Sequence, residues 1–204
     1  MAIERREFKK REYTPSATGR LFHLSGKKIK GIRGPVGSGK SVACCLEVFL
    51  RSCGQEANAE GKRESKWLFY RRHAVDLELT TLQTWLEWFP ETLMKYDSPM
   101  TGEYRCAHPS GDGTEVVIHL VMMGLETDED IKKLKSLELS GAWGNEATQI
   151  PWKVHSTVYE RLGRYPRACG GKKYPRLGLL MDTNSPHESN WWKRRSEDIR
   201  DENE

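Results

Sequence analysis

Residues 34–41 read Gly34-Pro35-Val36-Gly37-Ser38-Gly39-Lys40-Ser41. The spacing G-x-x-x-x-G-K-S is that of a loop that wraps a phosphate chain. Glycines let backbone N–H groups turn inward without a side-chain clash. Lys40 reaches β- and γ-phosphates, and the Ser41 hydroxyl suits Mg²⁺. Gly34 through Ser41 are therefore the candidate binders of a nucleoside triphosphate, with ATP and Mg²⁺ as the expected ligands. The flanks agree. Lys28–Ile32 reads as a short strand, and Ser41–Arg51 as an apolar helix stopped by Gly54. A helix N-terminus directly after the loop adds its own preference for an anion.

Working outward, strand and helix patterns alternate. Trp67–Tyr70 is a short apolar strand ending at Arg71-Arg72. Ala74–Phe89 carries helical spacing (Leu77, Leu79, Leu82, Trp85, Leu86, Phe89) and stops at Pro90. Glu103–His108 and Glu115–Val121 read as a hairpin across Ser110-Gly111-Asp112-Gly113. A short helix over Asp128–Leu134, an apolar segment over Leu137–Trp143, a helix over Lys153–Leu162 and a buried strand over Leu177–Met181 complete the pass. Such alternation implies an α/β fold whose mainly parallel sheet is covered on both faces, with ligands at the carboxyl ends of its strands. Four polar clusters fall at those ends: the loop itself, Arg71-Arg72, Asn145-Glu146 and Asp182-Thr183-Asn184.

Composition bounds the rest. A chain of 204 residues fits one domain, and its seven Trp, seven Tyr and five Phe exclude a disordered polymer. A net charge of +4 permits a nucleic-acid partner without requiring one. Basic residues crowd the start (Arg5, Arg6, Lys9, Lys10, Arg11) and residues 161–176, as solvated segments or as contacts to a phosphate backbone. Five cysteines (44, 45, 53, 106, 169) show no framework spacing and read as reduced and structural. No apolar run approaches a membrane span, so the default expectation is the cytosol, with no membrane partner.

Hydrolysis needs a group that orients and deprotonates water near the γ-phosphate. Glu146 is the candidate, because it follows an apolar strand. The residue before it is Asn145, where an aspartate ordinarily serves Mg²⁺. An amide oxygen still accepts from a metal-bound water but brings no charge. Asn145 and Asp182 are thus the candidates for a second shell behind Ser41.

The ordered set of motifs resembles the ATPase portion of tailed-bacteriophage terminase large subunits. The resemblance rests on Tyr13-Thr14-Pro15, Leu21-Phe22-His23, Gly34–Ser41, Leu79–Trp85, Ser136–Ala147, Arg161–Pro166, Met181–Pro186 and Trp191-Trp192. It implies a P-loop NTPase of the ASCE type, a three-layer sandwich carrying a β-hairpin insertion. It also implies an ATP hydrolase that drives double-stranded DNA into proheads, with a portal protein and a terminase small subunit as partners and a homo-oligomeric ring as the assembled form. Lys40 and Glu146 would be catalytic, Arg33 would meet the γ-phosphate or be a plain surface arginine, and Thr183 and Asn184 would form the coupling motif. Tyr13 would line the adenine pocket, with Phe22 either beside it or in plain packing. Arg71, Arg72, Arg161 and Arg164 compete as the arginine offered to a neighbouring subunit.

The expected organisation is a basic segment over 1–20, the ATPase domain over 21–187, and a charged segment over 188–204 where the linker to a nuclease domain would begin. No nuclease activity is expected of this chain, and its last acids (Glu197, Asp198, Asp201, Glu202, Glu204) read as a solvated end. Gly144 is small and flexible where the strand should stay apolar, a position that could loosen the catalytic segment without counting against the reading. Two other readings fit the phosphate loop: a non-motor P-loop kinase, and a nucleotide-gated scaffold that does not hydrolyse.

Overall fold

The computed structural model describes residues 12–166 and 177–195. The basic residues 5–11 and 167–176, Cys169 and the acidic end after 195 lie outside the described residues.

Among the described residues seven strands form one sheet: β1 (Ile29–Arg33), β2 (Lys62–Arg71), β3 (Leu93–Lys95), β4 (Met100–Ala107), β5 (Glu115–Gly124), β6 (Gly141–Asn145) and β7 (Gly178–Thr183), in the order β1-β7-β6-β2-β5-β4-β3. The first five in that order run parallel, and β4 and β3 add antiparallel. Every residue of β6 and of β7 is buried, as strands covered on both faces must be. The last strand, β7, lies between the strand that enters the phosphate loop and the strand that leads to Glu146. The hairpin is present, and its second strand, β5, is itself the fifth parallel strand, paired with β2 over Lys62–Arg71.

Helices cover both faces, giving three layers. On one side α2 (Lys40–Cys53) and the segment around Trp85 bury Cys44, Cys45, Val48, Leu77 and Leu82 against Trp67, Phe69 and Trp143. On the other, α5 (Asp128–Leu134), α6 (Trp152–Arg161) and α7 (Trp191–Lys193) bury Leu134, Val154, Val158 and Trp192 against Leu68, Leu179 and Met181. Cys44 and Cys45 are sealed in the first core, and burial pushes both thiols well above their usual range.

Three local features depart from the sequence reading. The helix expected over 74–89 is broken into α3 (Ala74–Asp76), a π-helical stretch (Leu77–Leu82) and α4 (Gln83–Trp88). The wide turn carries Thr81 inward beside Leu77 and Leu82, all three buried, while Leu79 is 67% exposed rather than core. A three-residue strand, β3, follows Pro90 where no strand is evident in sequence. Gly144 does not loosen β6. A Cβ there would lie 2.7 Å from Tyr70 Cζ, so the missing side chain is the seat of the Tyr70 ring.

The helix α1 (Ala17–Leu24), N-capped by Ser16, is pinned to β1 and α2 by a buried ionic knot. Glu47, 4% exposed, accepts from Lys30 Nζ at 2.6 Å and Arg51 Nε at 2.6 Å, and meets His23 Nδ1 at 2.7 Å. Burial works to raise the Glu47 carboxyl, but these three partners together hold it below the ordinary carboxylate range.

Candidate functional site

The phosphate-type loop leaves β1 at Arg33 and enters α2 at Lys40. Gly37 and Gly39 have φ of 77° and 79°, left-handed values that a glycine takes without strain, and Gly39 is the N-cap of α2. The Lys40 ammonium curls back into the loop and donates to Pro35 O at 2.9 Å and Asn184 Oδ1 at 3.1 Å. Lys40 is only 7% exposed. A buried ammonium bonded to neutral oxygens favours an anion, so the loop suits a polyphosphate.

The carboxyl ends of β1, β7, β6 and β2 meet around this loop. Asn184 follows β7, and its amide spans two charged groups. The carbonyl oxygen accepts from Lys40, and Nδ2 donates to Glu146 Oε1 at 3.0 Å. Glu146 follows β6 with φ 50° and ψ 49°, the one non-glycine residue of positive φ among the described residues. This strained turn aims its carboxylate across the crevice instead of along the strand. Thr183 is fully buried, and its hydroxyl meets that of Thr148 at 2.6 Å, so β7 is tied to the segment after Glu146.

A second chain of contacts runs beneath the first. Ser41 Oγ donates to Asp182 Oδ2 at 2.6 Å. Trp143 Nε1 donates to Asp182 Oδ1 at 2.8 Å, and Asn145 Nδ2 lies 3.1 and 3.0 Å from the two carboxylate oxygens. Asn145 Oδ1 faces the other way, accepting from Arg71 Nη1 at 3.1 Å and from Thr81 Oγ1 at 3.0 Å. Burial drives the Asp182 carboxyl upward, and the hydrogen bonds from Ser41, Trp143 and Asn145 oppose that rise. Ser41 and Asp182 offer hard oxygen donors of the kind Mg²⁺ takes. Among the described residues no cluster of three or more His, Cys, Asp or Glu stands ready to hold a metal by itself.

Tyr13 lies beside the loop, in a cleft of about 340 Å³ shared with Ile32, Gly37, Gly39, Val42 and Trp88. Its hydroxyl meets His23 Nε2 at 2.9 Å, and its ring stands edge-on to Trp88 at 5.9 Å. Trp88 escaped the sequence reading because it lies outside the apolar stripe of 74–89 and 47 residues beyond the loop, so nothing local signals that it flanks the loop. Phe22 is instead in the core, 6% exposed, which is the packing alternative. Arg33 pairs with Thr183 across β1 and β7 and is exposed. Of the four competing arginines, Arg71 is committed to Asn145 and to Thr80 Oγ1, and Arg72 lies 3.7 Å from Glu126. Arg161 and Arg164 flank Leu139, ahead of β6 and so at the sheet edge opposite the crevice.

No protein-family model matches the sequence, and a search of curated proteins finds no match. Solved structures do match in fold. The large terminase of a thermophilic bacteriophage aligns with a TM-score of 0.66 at 12% identity, over 93% of this chain and 44% of that one. The same protein in complex with ATP-γ-S aligns at 0.63 and 12%, over 93% and 43%. The ATPase domain of the Thermus phage P74-26 large terminase aligns at 0.56 and 16%, over 89% of this chain and 69% of that domain. The chain thus spans less than half the length of the first of these. The likeness shows a shared P-loop fold. No described helix is long and apolar enough to cross a membrane.

Proposed function

We propose that this chain is the ATPase domain of a phage DNA-packaging motor, hydrolysing ATP with Mg²⁺ at the crevice between the loop and Glu146. The observation that carries the reading is the Asn184 side chain, which joins Lys40 to Glu146 through one amide. A phosphate-binding lysine and a carboxylate brought to one amide leave the γ-phosphate position between a cation and a base. The matching solved structures, phage large terminases that include complexes with ADP and ATP-γ-S, support the assignment of the nucleotide.

In this mechanism the loop amides from Gly34 to Ser41 bind the β- and γ-phosphates, and Lys40 leaves Pro35 O to neutralise them. Mg²⁺, when bound, neutralises charge on the phosphates, with the Ser41 hydroxyl as its protein ligand. Glu146 holds a water in line with the γ-phosphorus and accepts its proton as the water oxygen bonds to phosphorus and the bond to the bridging oxygen breaks, with ADP as the leaving group. Asn184, touching both Lys40 and Glu146, registers loss of the γ-phosphate and passes it along β7 to Thr183 and Thr148. Tyr13 forms one wall for the adenine, and Arg33, at the rim, meets the γ-phosphate. Double-stranded DNA, a portal protein and a small subunit are the partners this reading assigns, with a ring of copies in the host cytoplasm as the working form.

Phosphate release from ATP by the wild type, Glu146→Gln and Lys40→Ala tests the reading. The wild type turns over. Glu146→Gln binds ATP but loses about 100-fold or more in rate, and Lys40→Ala loses binding as well. Equal rates in all three proteins would remove the assignment.

A further inference from the structure

In P-loop enzymes the carboxylate that supports Mg²⁺ ordinarily stands on the strand carrying the catalytic acid. Here that place holds Asn145, and its amide presents nitrogen, not oxygen, to Ser41 and Asp182. The orientation follows from chemistry. Two donors, Arg71 Nη1 and Thr81 Oγ1, converge on one end of the amide, and a carboxylate faces the other. With its oxygen spent on those donors, Asn145 has no acceptor left for a metal-bound water.

Asp182 has what Asn145 lacks. The two residues are register partners on adjacent parallel strands, so their side chains leave the same face of the sheet. Asp182 is fully buried, and its Oδ2 takes the Ser41 hydroxyl proton at 2.6 Å. A hydroxyl whose hydrogen is held from behind turns its lone pairs forward, into the loop. We infer that Asp182, on β7, supplies the carboxylate of the divalent-cation site, and that Asn145 is its positioning residue, keyed in place by Arg71 and Thr81. The acid stands one strand over from the catalytic one, and the neutral amide at 145 bridges it to Arg71 and Thr81. A second carboxylate at 145 would face Asp182 at about 3 Å, where like charges repel strongly. The inference rests on reading the loop as an ATP·Mg²⁺ site, and goes beyond it in assigning the metal's acidic partner.

The test is nucleotide affinity, measured calorimetrically with ATP-γ-S in the presence and absence of Mg²⁺, on the full chain. In the wild type Mg²⁺ tightens binding. In Asp182→Asn that tightening falls about 10–100-fold while metal-free affinity stays within about threefold, as for loss of an outer-shell partner. The exchanged pair, Asn145→Asp with Asp182→Asn, keeps one acid and one amide in the same buried contact and recovers most of the Mg²⁺ dependence. Low-temperature spectra of bound Mn²⁺ report the same loss and recovery without reference to turnover. Wild-type Mg²⁺ dependence in Asp182→Asn overturns the inference and leaves the function standing, as does a folded exchanged pair with no metal dependence. Should Asp182→Asn be too unstable to titrate, the exchanged pair decides alone. A wild type that binds no nucleotide overturns both.

Discussion

Among the described residues Glu146 is the one non-glycine with positive φ, and replacing it by alanine and by glycine measures what that conformation costs. Both substitutions delete the carboxylate and with it the contacts to Asn184 Nδ2 at 3.0 Å and Asn184 N at 3.5 Å. The two variants then differ only by a Cβ, at a residue with φ 50° and ψ 49°. A left-handed conformation costs a residue with a Cβ about 1–2 kcal/mol. Glycine avoids that cost but loses roughly 0.4–1 kcal/mol more chain entropy on folding. At the midpoints of those ranges the balance favours Glu146→Gly over Glu146→Ala by about 0.8 kcal/mol. At roughly 2–4 °C per kcal/mol for a chain of this size, the melting difference is about 2–3 °C. In ordinary helix or strand the order is reversed, with alanine the more stable by about 0.5–1 kcal/mol. The sign alone is therefore decisive. Thermal and urea unfolding followed by circular dichroism read it directly, and neither variant turns over ATP. An alanine variant as stable as the glycine variant would show that this residue relaxes out of the strained turn in solution, and the account of how its carboxylate is aimed would fail.

Other expectations follow from single contacts. His155 is buried between the Tyr70 hydroxyl, 2.6 Å from Nδ1, and Ala147 O, 3.0 Å from Nε2, and burial lowers its pKa to about 4. An unfolded chain takes up this proton below about pH 6.5 and the folded chain only near pH 4. Stability is thus full above pH 6.5 and falls by about 3 kcal/mol as pH drops to 4; in His155→Gln that part of the slope disappears from urea titrations across the range. Gly144→Ala drives a methyl to 2.7 Å from the Tyr70 ring, which His155 holds still, and should cost about 1–3 kcal/mol in the same assay. Glu47→Ala strands the buried Lys30 ammonium, while half-buried Arg51 keeps Leu177 O and Lys27 O, and should cost about 3–5 kcal/mol; Glu47→Leu combined with Lys30→Met should recover most of it. A single Glu47→Ala variant of wild-type stability would show that the buried knot contributes nothing.

The parallel sheet was legible because its signals are local. Apolar strands, a glycine loop and polar strand tips each declare themselves within about ten residues, and β-strand order then brings Lys40, Asn145, Glu146 and Asp182 to one edge. What escaped depends on partners distant in sequence. The π-helical turn is fixed by Thr81 reaching Asn145, 64 residues later, and no periodicity in 77–82 announces it. Glu47 reads as the polar face of a helix, and only the fold reveals Lys30, Arg51 and His23 closing around it. Gly144 reads as a weak point until the Tyr70 ring is seen filling its place. Trp88 falls outside the apolar stripe read over 74–89, and only the fold shows it lining the cleft beside the loop.

A crystal structure with ATP-γ-S and Mn²⁺ tests the central claim most directly. The account predicts the triphosphate inside the 34–41 loop, its terminal phosphate between the Lys40 ammonium and the Glu146 carboxylate, and the anomalous manganese signal beside the Ser41 hydroxyl. A nucleotide bound elsewhere, or one seated in the loop with the Glu146 carboxylate turned away from its terminal phosphate, would contradict it.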